Sequence, residues 1–341
     1  MSGPPPSLCS RLTAALRELL FDSLRTCGDL FKIIIPISLA TRLLQQWGLV
    51  DQLGTLLAPL MHLVGLPGEI GLVWATAMVT NLYAGMVVFA SLAPGLELSV
   101  AQVTVLTTMM LVAHGLPVEL RIAQKAGTRF RTQALIRIGG ALLLGGLLNL
   151  GYRYSDSLQQ QNNALWNPPP VDPSWLGWAL SELRNLLSIV LIIFILMALL
   201  RLLKQIGLID LLTRLLEPLL ALLGIGRQAA PLAIVGMTLG LSYGGGLIIR
   251  EAQSGRLSRQ DIFCSIALMG LCHSLIEDSL LMMVLGGHVS GVFWGRLCFA
   301  LGAVFLFSRL LRVLPQALFE RYIVRPLPAD SSNQEEEVRC C

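Results

Sequence analysis

Two long stretches of this chain contain no charged residue, and they limit its possible folds more than any other feature. They cover residues 70–96 and 228–249. A helix needs about 20 apolar residues to cross the hydrocarbon core of a bilayer, and both stretches reach that length. Hydrophobic residues make up 54% of the chain and charged residues 13%, whereas about 25% of residues are charged in soluble domains. The sequence therefore predicts an all-α polytopic membrane protein.

The sequence is also an internal duplication with a constant offset of 159 residues. RLLQQWGLVDQLGTLLAPLMHLVGL at 42–66 matches RLLKQIGLIDLLTRLLEPLLALLGI at 201–225, with glycine, aspartate and proline in one register. Carried on without a gap, the register places His114 on His273 and Glu119 on Asp278. Shared leucines prove little, but four residue types agreeing in one ungapped register are hard to obtain by chance. We therefore interpret the chain as two repeats.

Each repeat has the same predicted organisation. A first helix leads to a short amphipathic helix and then to an apolar segment that small and polar residues interrupt, at 80–85 and at 241–246. A histidine-bearing helix (about 99–120 and 258–285) and a closing helix follow. Each repeat would thus contribute about three full crossings plus a helical hairpin or broken helix. The predicted domains are an N-terminal segment 1–26, repeat one 27–151, a polar proline-rich linker 152–176, repeat two 177–313 and a tail 314–341.

Matching loops of the two repeats differ in positive charge. Loop 92–99 has no Lys or Arg and its partner 250–260 has three, whereas loop 121–131 has four and its partner 280–290 has none. Because basic loops stay on the cytoplasmic side, the repeats are expected to have inverted topology. Both termini are then cytoplasmic in a bacterial inner membrane, and the linker is outside. The first ten residues lack the basic and apolar regions of a signal peptide, so no cleaved leader is expected.

Inverted repeats with interrupted membrane helices are the architecture of secondary transporters. A membrane helix breaks only where the freed backbone groups line a cavity or are buried in protein. The breaks at 80–85 and 241–246 are therefore expected to form a binding platform where the repeats meet.

The composition also indicates which partners to expect. Topology explains the net charge of +4, which gives no reason to expect nucleic acid binding. No HExxH motif or Ser/Lys pair indicates an enzyme, and no cofactor is expected. The expected partners are the lipid bilayer and a small-molecule or ionic substrate, and homo-oligomerisation is left open.

Charged residues inside apolar segments are the candidate ligands. Each costs at least about 2.5–3.5 kcal/mol at membrane depth, so it is kept where it faces a cavity, pairs with another group or lies near an interface. His273 and Glu277 are four residues apart and are expected to share a helix face, with Asp278 facing elsewhere. Repeat one has Val118 in place of Glu277. The predicted substrate- or ion-binding residues are His114, Glu119, His273, Glu277, Asp278, Asn81, Tyr83, Ser242 and Tyr243, with Arg250 and Glu251 in a secondary role.

These residues also have structural interpretations, which the sequence leaves open. The ionisable groups can form pairs that hold the repeats together, for example Glu277 with Arg250. The polar residues at the breaks can satisfy freed backbone groups. If a metal binds, the candidate ligands are His114, His273, Glu277 and Asp278. Histidine titrates near neutral pH, which would also suit a coupling proton.

The paired motifs LVAHGLPVEL and GLCHSLIEDSLL resemble those of the nucleoside recognition, or Gate-domain, membrane proteins. The resemblance covers roughly residues 30–150 and 185–313. It implies a module shared with concentrative nucleoside transporters, the membrane part of ferrous iron transporters and spore maturation proteins. Ferrous iron transporters of this type carry a Gly-x-Gly-Cys-x-x-Pro signature on the gate helices. The breaks here read TNLYAGM and LSYGGGL, without cysteine.

The sequence therefore predicts an inner-membrane secondary transporter, or permease, for a small polar or ionic solute, with its site between the repeats. A nucleoside-like substrate and proton coupling are left open. The alternatives are a membrane assembly or morphogenesis factor of the spore-maturation type that does not transport, and a divalent metal permease.

Overall fold

Helices make up nearly all of the regular structure, which confirms the predicted all-α class. The computed structural model describes residues 8–166, 174–226 and 228–325. No β-strand occurs within these ranges, and only two isolated β-bridges are found there. The first half contains α1 (Leu8–Gln46), α2 (Leu49–His62), α3 (Ile70–Val79), α4 (Leu82–Leu92), α5 (Val100–Val112), α6 (Leu116–Lys125) and α7 (Phe130–Tyr154). The second half contains α8 (Trp175–Gln205), α9 (Leu208–Leu222), α10 (Ala230–Leu239), α11 (Leu241–Gln253), α12 (Arg259–Cys272), α13 (Glu277–Val284), α14 (Arg296–Val313) and α15 (Gln316–Tyr322).

The order of elements follows the register of the duplication. The first residues of α2, α4 and α5 match those of α9, α11 and α12 at the offset of 159 residues, and α1 and α8 end in the same register. The helices α2 and α9 each begin after a glycine with positive φ, 65° at Gly48 and 76° at Gly207. Glycine adopts this conformation at little cost, and it lets the chain turn sharply between consecutive helices.

Among the described residues, five helical segments are long and apolar enough to cross a membrane, where the duplication predicts six. They are Val100–Lys125, Phe130–Tyr154, Trp175–Gln205, Arg259–Val284 and Ser290–Val313. The missing segment is α1, whose second half contains Asp29, Lys32 and Arg42. Asp29 and Lys32 form an exposed ion pair of 2.7 Å. The predicted boundary at residues 26 and 27 falls inside this continuous helix.

The two uncharged stretches do not form single membrane-crossing helices. Residues 70–96 are divided between α3 and α4, of 10 and 11 residues, and helices of this length extend only about 15 Å. The helix α4 folds back along α3. The two helices are so close that a Cβ added at Gly85 would lie 2.9 Å from the Cβ of Ala77. In the second half, α10 and α11 also pack against each other. We call the pairs α3–α4 and α10–α11 the two hairpins. The predicted interruption of both apolar stretches is confirmed.

Both histidine-bearing segments are broken at the histidine. Helix α5 ends at Val112 and α6 begins at Leu116, while α12 ends at Cys272 and α13 begins at Glu277. Gly115 (φ 56°) and Ser274 (φ 45°) adopt the left-handed backbone conformation, and they are matching positions of the duplication. The prediction of one continuous helix over 99–120 and another over 258–285 was therefore wrong at this point.

The broken segments lie in the centre of the protein. Of the residues in their most apolar windows, 78% and 72% are buried, against 17–28% for the other three crossing helices. The long helices α7, α8 and α14 thus form the periphery, and the histidines belong to the core.

The two histidine-bearing segments run in opposite directions. The linker residue Gln160 accepts a hydrogen bond from the first residue of α5, and Asn162 donates to the carbonyl of Leu285 just after α13. At the other end, Arg129 after α6 donates its backbone N–H to the carbonyl of Ile323, and the start of α12 shares a cavity of about 490 Å³ with α15. This is the geometry that the predicted inversion requires. The inversion across a membrane stays a prediction.

A pair of matched cysteine variants tests the inversion. Glu97 and Arg256 are exposed and occupy equivalent positions in the two halves. In a background with all native cysteines replaced by serine, we expect a membrane-impermeant maleimide to label Glu97→Cys in intact cells. It should label Arg256→Cys only after the membrane is permeabilised. Labelling of both sites from the same side would contradict the inverted topology.

Substitution of Gly115 tests the break in the first half. An alanine there would adopt the left-handed conformation, at about 1–2 kcal/mol, and its Cβ would lie 3.1 Å from the Glu119 carboxylate. We expect Gly115→Ala to lower the midpoint of thermal unfolding of the detergent-solubilised protein. The matched control is Gly139→Ala within α7, where a Cβ would meet nothing within 4 Å. Equal unfolding midpoints for Gly115→Ala and Gly139→Ala would show that a side chain at position 115 does not strain the break.

Candidate functional site

The two helix breaks bring His114 and His273 into contact. Their Nε2 atoms are 3.2 Å apart, the ring centroids are 4.9 Å apart, and the ring planes are inclined by 46°. Both residues are buried, with exposed fractions of 7% and 3%. The contact therefore joins the same position of the two halves, deep in the protein.

The hydrogen bonds of the rings fix where each proton lies. The Nδ1 atom of His114 is 2.9 Å from the carbonyl oxygen of Met110, and that of His273 is 2.8 Å from the carbonyl oxygen of Met269. A carbonyl only accepts, so each Nδ1 carries the hydrogen and donates it. A neutral ring then has a lone pair on Nε2, and the two Nε2 lone pairs face each other.

Arg137 of α7 caps the broken end of α5. Its Nε and Nη2 groups donate to the carbonyls of Val112 and His114, each over 3.0 Å. Only 2% of Arg137 is exposed. The last carbonyls of a helix have no partner within the helix, and in a membrane interior no water replaces that partner. The guanidinium therefore makes the break tolerable at this depth.

Arg296 of α14 repeats this arrangement in the second half. It donates from Nε to the carbonyl of Leu271 over 3.1 Å and from Nη2 to that of His273 over 2.6 Å. Sequence analysis did not single out either arginine. The signal was present, because Arg137 and Arg296 are separated by the same 159 residues and each follows its histidine by 23.

Two carboxylates complete what we call the histidine–carboxylate cluster: His114, His273, Glu119 and Asp278. Glu119 Oε1 lies 3.5 Å from His114 Nε2 and 3.4 Å from His273 Nε2. The other Glu119 oxygen forms an ion pair with Nη1 of Arg137. Asp278 Oδ2 lies 4.0 Å from His114 Nε2. Both carboxylate side chains are largely buried, with exposed fractions of 13% and 15%.

The two halves of the cluster differ in their acid–arginine pairing. Arg137 is paired with Glu119, but its counterpart Arg296 forms no ion pair with Asp278. Within the described part of the chain, Nη1 of Arg296 is buried and has no hydrogen-bond partner. The cluster is thus symmetric in its histidines and backbone caps, and asymmetric in its acid–arginine pairing.

Glu277 does not share a helix face with His273, and that prediction was wrong. The residues between them are not helical, because α13 begins at Glu277 itself. Asp278 therefore approaches the histidines and Glu277, which is half-buried, does not. The suggested structural pair of Glu277 with Arg250 is not formed either, and Arg250 is exposed.

The remaining predicted residues lie at the hairpins. Asn81 is the N-cap of α4 and accepts from the Ala84 N–H over 2.9 Å, which is its structural interpretation. Tyr83 is half-buried on α4. Glu251 pairs with Arg256 over 3.2 Å, away from the cluster. The side chains of Ser242 and Tyr243 lie outside the described part of the structure.

The tips of both hairpins contact the histidine breaks. The N–H of Gly115 donates to the carbonyl of Ala77 over 3.0 Å, and the N–H of Leu275 donates to that of Met237 over 2.8 Å. In each half, the hairpin and the broken histidine-bearing segment are thus joined by a hydrogen bond between backbone groups at their breaks. The predicted binding platform at the hairpin breaks and the histidines therefore form one region.

Comparison with known proteins gives this region a family. A family model described as nucleoside recognition, Gate, matches residues 28–128 and 186–311. The chain belongs to the Gate family. The resemblance of the paired motifs to this family is confirmed, and the matched ranges contain both histidines, both carboxylates of the cluster and Arg296. Arg137 lies just outside the first matched range.

One relative of this Gate protein is also a membrane protein. The uncharacterized membrane protein YvoD of Bacillus subtilis (strain 168) is 30% identical over 266 residues, which cover 77% of this chain and 84% of YvoD. No solved structure matches the chain. The protein is therefore a membrane protein of the Gate family.

The unequal pairing of the two arginines predicts unequal costs of removing them. Arg137→Gln leaves Glu119 as a buried unpaired charge, which typically costs about 3–5 kcal/mol. Arg296→Gln leaves only carbonyls without their donor, at about 1–3 kcal/mol. We expect a larger loss of unfolding free energy for Arg137→Gln, measured in detergent, and partial recovery in Glu119→Gln/Arg137→Gln. Equal losses, or no recovery, would contradict the pairing.

Proposed function

We propose that this Gate protein is a secondary permease of the bacterial inner membrane, with both termini in the cytoplasm. It carries a small cation or polar solute past the histidine–carboxylate cluster. The observation that supports this most is the Nε2–Nε2 contact of 3.2 Å between His114 and His273. A purely structural cluster would place donors against acceptors. With both rings neutral, two lone pairs meet in the core here, an arrangement that a positively charged occupant stabilises.

The position of the cluster suits transport. It lies where two broken segments and two hairpin tips meet, and broken membrane helices are typical of the sites of secondary transporters. Backbone groups at such breaks are held by single hydrogen bonds, so they can be exchanged between partners. The proposal includes no enzymatic reaction and no cofactor, and its expected partners are lipid and the transported solute.

The unequal acid–arginine pairing supplies a two-state element. In the described state Arg137 holds Glu119, while Arg296 and Asp278 are apart. In the opposite state Asp278 pairs with Arg296, and Glu119 is released from Arg137. The number of ion pairs is the same in both states, so their free energies can be close. A transported ion then biases the exchange by binding one state more tightly.

The second candidate function is that of a membrane assembly factor without transport. The compact packing favours it, because both arginines and both hairpin tips are bonded to backbone groups around the cluster. A protein that only holds a shape would need these bonds and no movement. The two candidates differ in whether solute crosses the membrane.

Flux through proteoliposomes tests the permease. We expect saturable uptake of at least one solute from a panel of labelled nucleosides and divalent cations, with and without a pH gradient. His273→Ala and Asp278→Asn should each reduce the rate at least about 10-fold, which is roughly 1.4 kcal/mol. The matched control is His288→Ala, because His288 is exposed and its ring bonds to Ser290, away from the cluster.

Two outcomes would contradict the permease. One is the absence of flux for every solute, although the reconstituted protein keeps its helical content. The other is full function of His273→Ala in cells at normal protein levels, which would favour the assembly factor.

A further inference from the structure

The geometry of the cluster points to a narrower class of occupant than a polar solute. The ring nitrogens of His114 and His273 are 3.2 Å apart and both residues are buried. A base or sugar does not fit between atoms at this distance. An occupant that contacts both Nε2 atoms in this state has the size of a single ion.

The three nearest donor atoms have the spacing of a tetrahedral metal site. His114 Nε2, His273 Nε2 and Glu119 Oε1 form a triangle with sides of 3.2, 3.4 and 3.5 Å. A tetrahedral zinc ion with bonds of about 2.0–2.1 Å separates its ligand atoms by about 3.3–3.4 Å. The three atoms are therefore placed as three corners of a tetrahedron, with Asp278 Oδ2 next to them at 4.0 Å from His114.

The surroundings orient these donors as metal ligands are usually oriented. Each ring donates its Nδ1–H to a backbone carbonyl, which fixes the tautomer and directs the Nε2 lone pair at the centre. Arg137 holds the other oxygen of Glu119, which leaves Oε1 directed at both rings. Hydrogen bonds that orient the ligands in this way are typical of metal sites in proteins.

The donor atoms suit a transition-metal cation. Two imidazole nitrogens and the carboxylates of Glu119 and Asp278 surround the centre, and the two negative charges are balanced by the guanidinium groups of Arg137 and Arg296, which also donate to backbone carbonyls on either side. Two imidazole nitrogens disfavour Mg²⁺ and Ca²⁺, which take oxygen ligands, and favour transition metals such as Zn²⁺ or Co²⁺.

We propose that His114, His273 and Glu119 form a binding site for a divalent transition-metal cation, with Asp278 as the neighbouring fourth ligand. This inference rests on the proposed function and names its substrate class. The competing occupant is a single proton shared between the two rings. Metal analysis distinguishes these two occupants, because a shared proton leaves the protein without a stoichiometric metal complex.

Cobalt binding to the purified full chain tests the proposal. The protein is prepared with a tag that contains no histidine, with Cys340 and Cys341 replaced by serine, and is stripped with chelator. We expect one Co²⁺ per chain with the intense visible absorption of a tetrahedral site, without sulfur charge-transfer bands, and displacement by Zn²⁺. His114→Ala, His273→Ala and Glu119→Gln should each weaken binding at least about 100-fold. His62→Ala and His288→Ala, at exposed histidines, should leave it unchanged.

The proposal is overturned if the stripped wild-type protein takes up no Co²⁺. It is also overturned if His114→Ala and His273→Ala bind as tightly as His288→Ala. Thermal unfolding shows whether each variant is folded. If a histidine variant is not folded, Glu119→Gln still tests the site, because glutamine keeps the shape of the side chain. Flux of another solute without metal binding refutes the metal site and keeps the permease. Metal binding without any flux keeps the site and refutes transport.

Discussion

A helix that ends inside an apolar interior leaves carbonyls and N–H groups without partners, and each such group costs several kilocalories per mole. This chain has such ends at Val112 and at Cys272. Two buried guanidinium groups and two hairpin tips form hydrogen bonds with these freed backbone groups. The positions of the two histidines depend on those hydrogen bonds. Because Arg137 and Arg296 hold the carbonyls of both histidines, the imidazole rings leave the helices and meet. The contact between the halves is thus built on backbone hydrogen bonds.

The two halves share their backbone geometry around the cluster but differ in two of the residues that surround it. At the break, one has Gly115 and the other Ser274, although both residues have positive φ. The serine carries the cost of the left-handed conformation, whereas glycine does not. In the acid–arginine pairing, Glu119 is held and Asp278 is not. Because of these two differences, the two halves offer an occupant unequal surroundings. An occupant that binds one arrangement more tightly than the other shifts the balance between them.

Much of this arrangement could be predicted from the duplication. The helical class, the interrupted apolar stretches and the equivalence of His114 and His273 follow from composition and register. Which acid meets the histidines could not be predicted, because the helical period places Glu277 beside His273 only if the helix continues, and the chain breaks there. Nor did charge counting identify the two arginines. Arg137 follows a basic loop and fits the positive-inside rule, whereas Arg296 follows the uncharged loop 280–290 and lies outside the loops that were counted. Their role depends on carbonyls freed by a break that the periodicity does not indicate.

The contact between His114 and His273 limits where the two halves can differ in their treatment of an occupant. Equivalent positions touch where a local two-fold axis passes between them, as in the isologous interface of a symmetric dimer. A group that contacts both rings therefore meets the same residue type from each half, and the rings give no preference for either half. Any preference comes from residues away from the axis, such as Ser274 and Glu277, whose counterparts Gly115 and Val118 are of a different type.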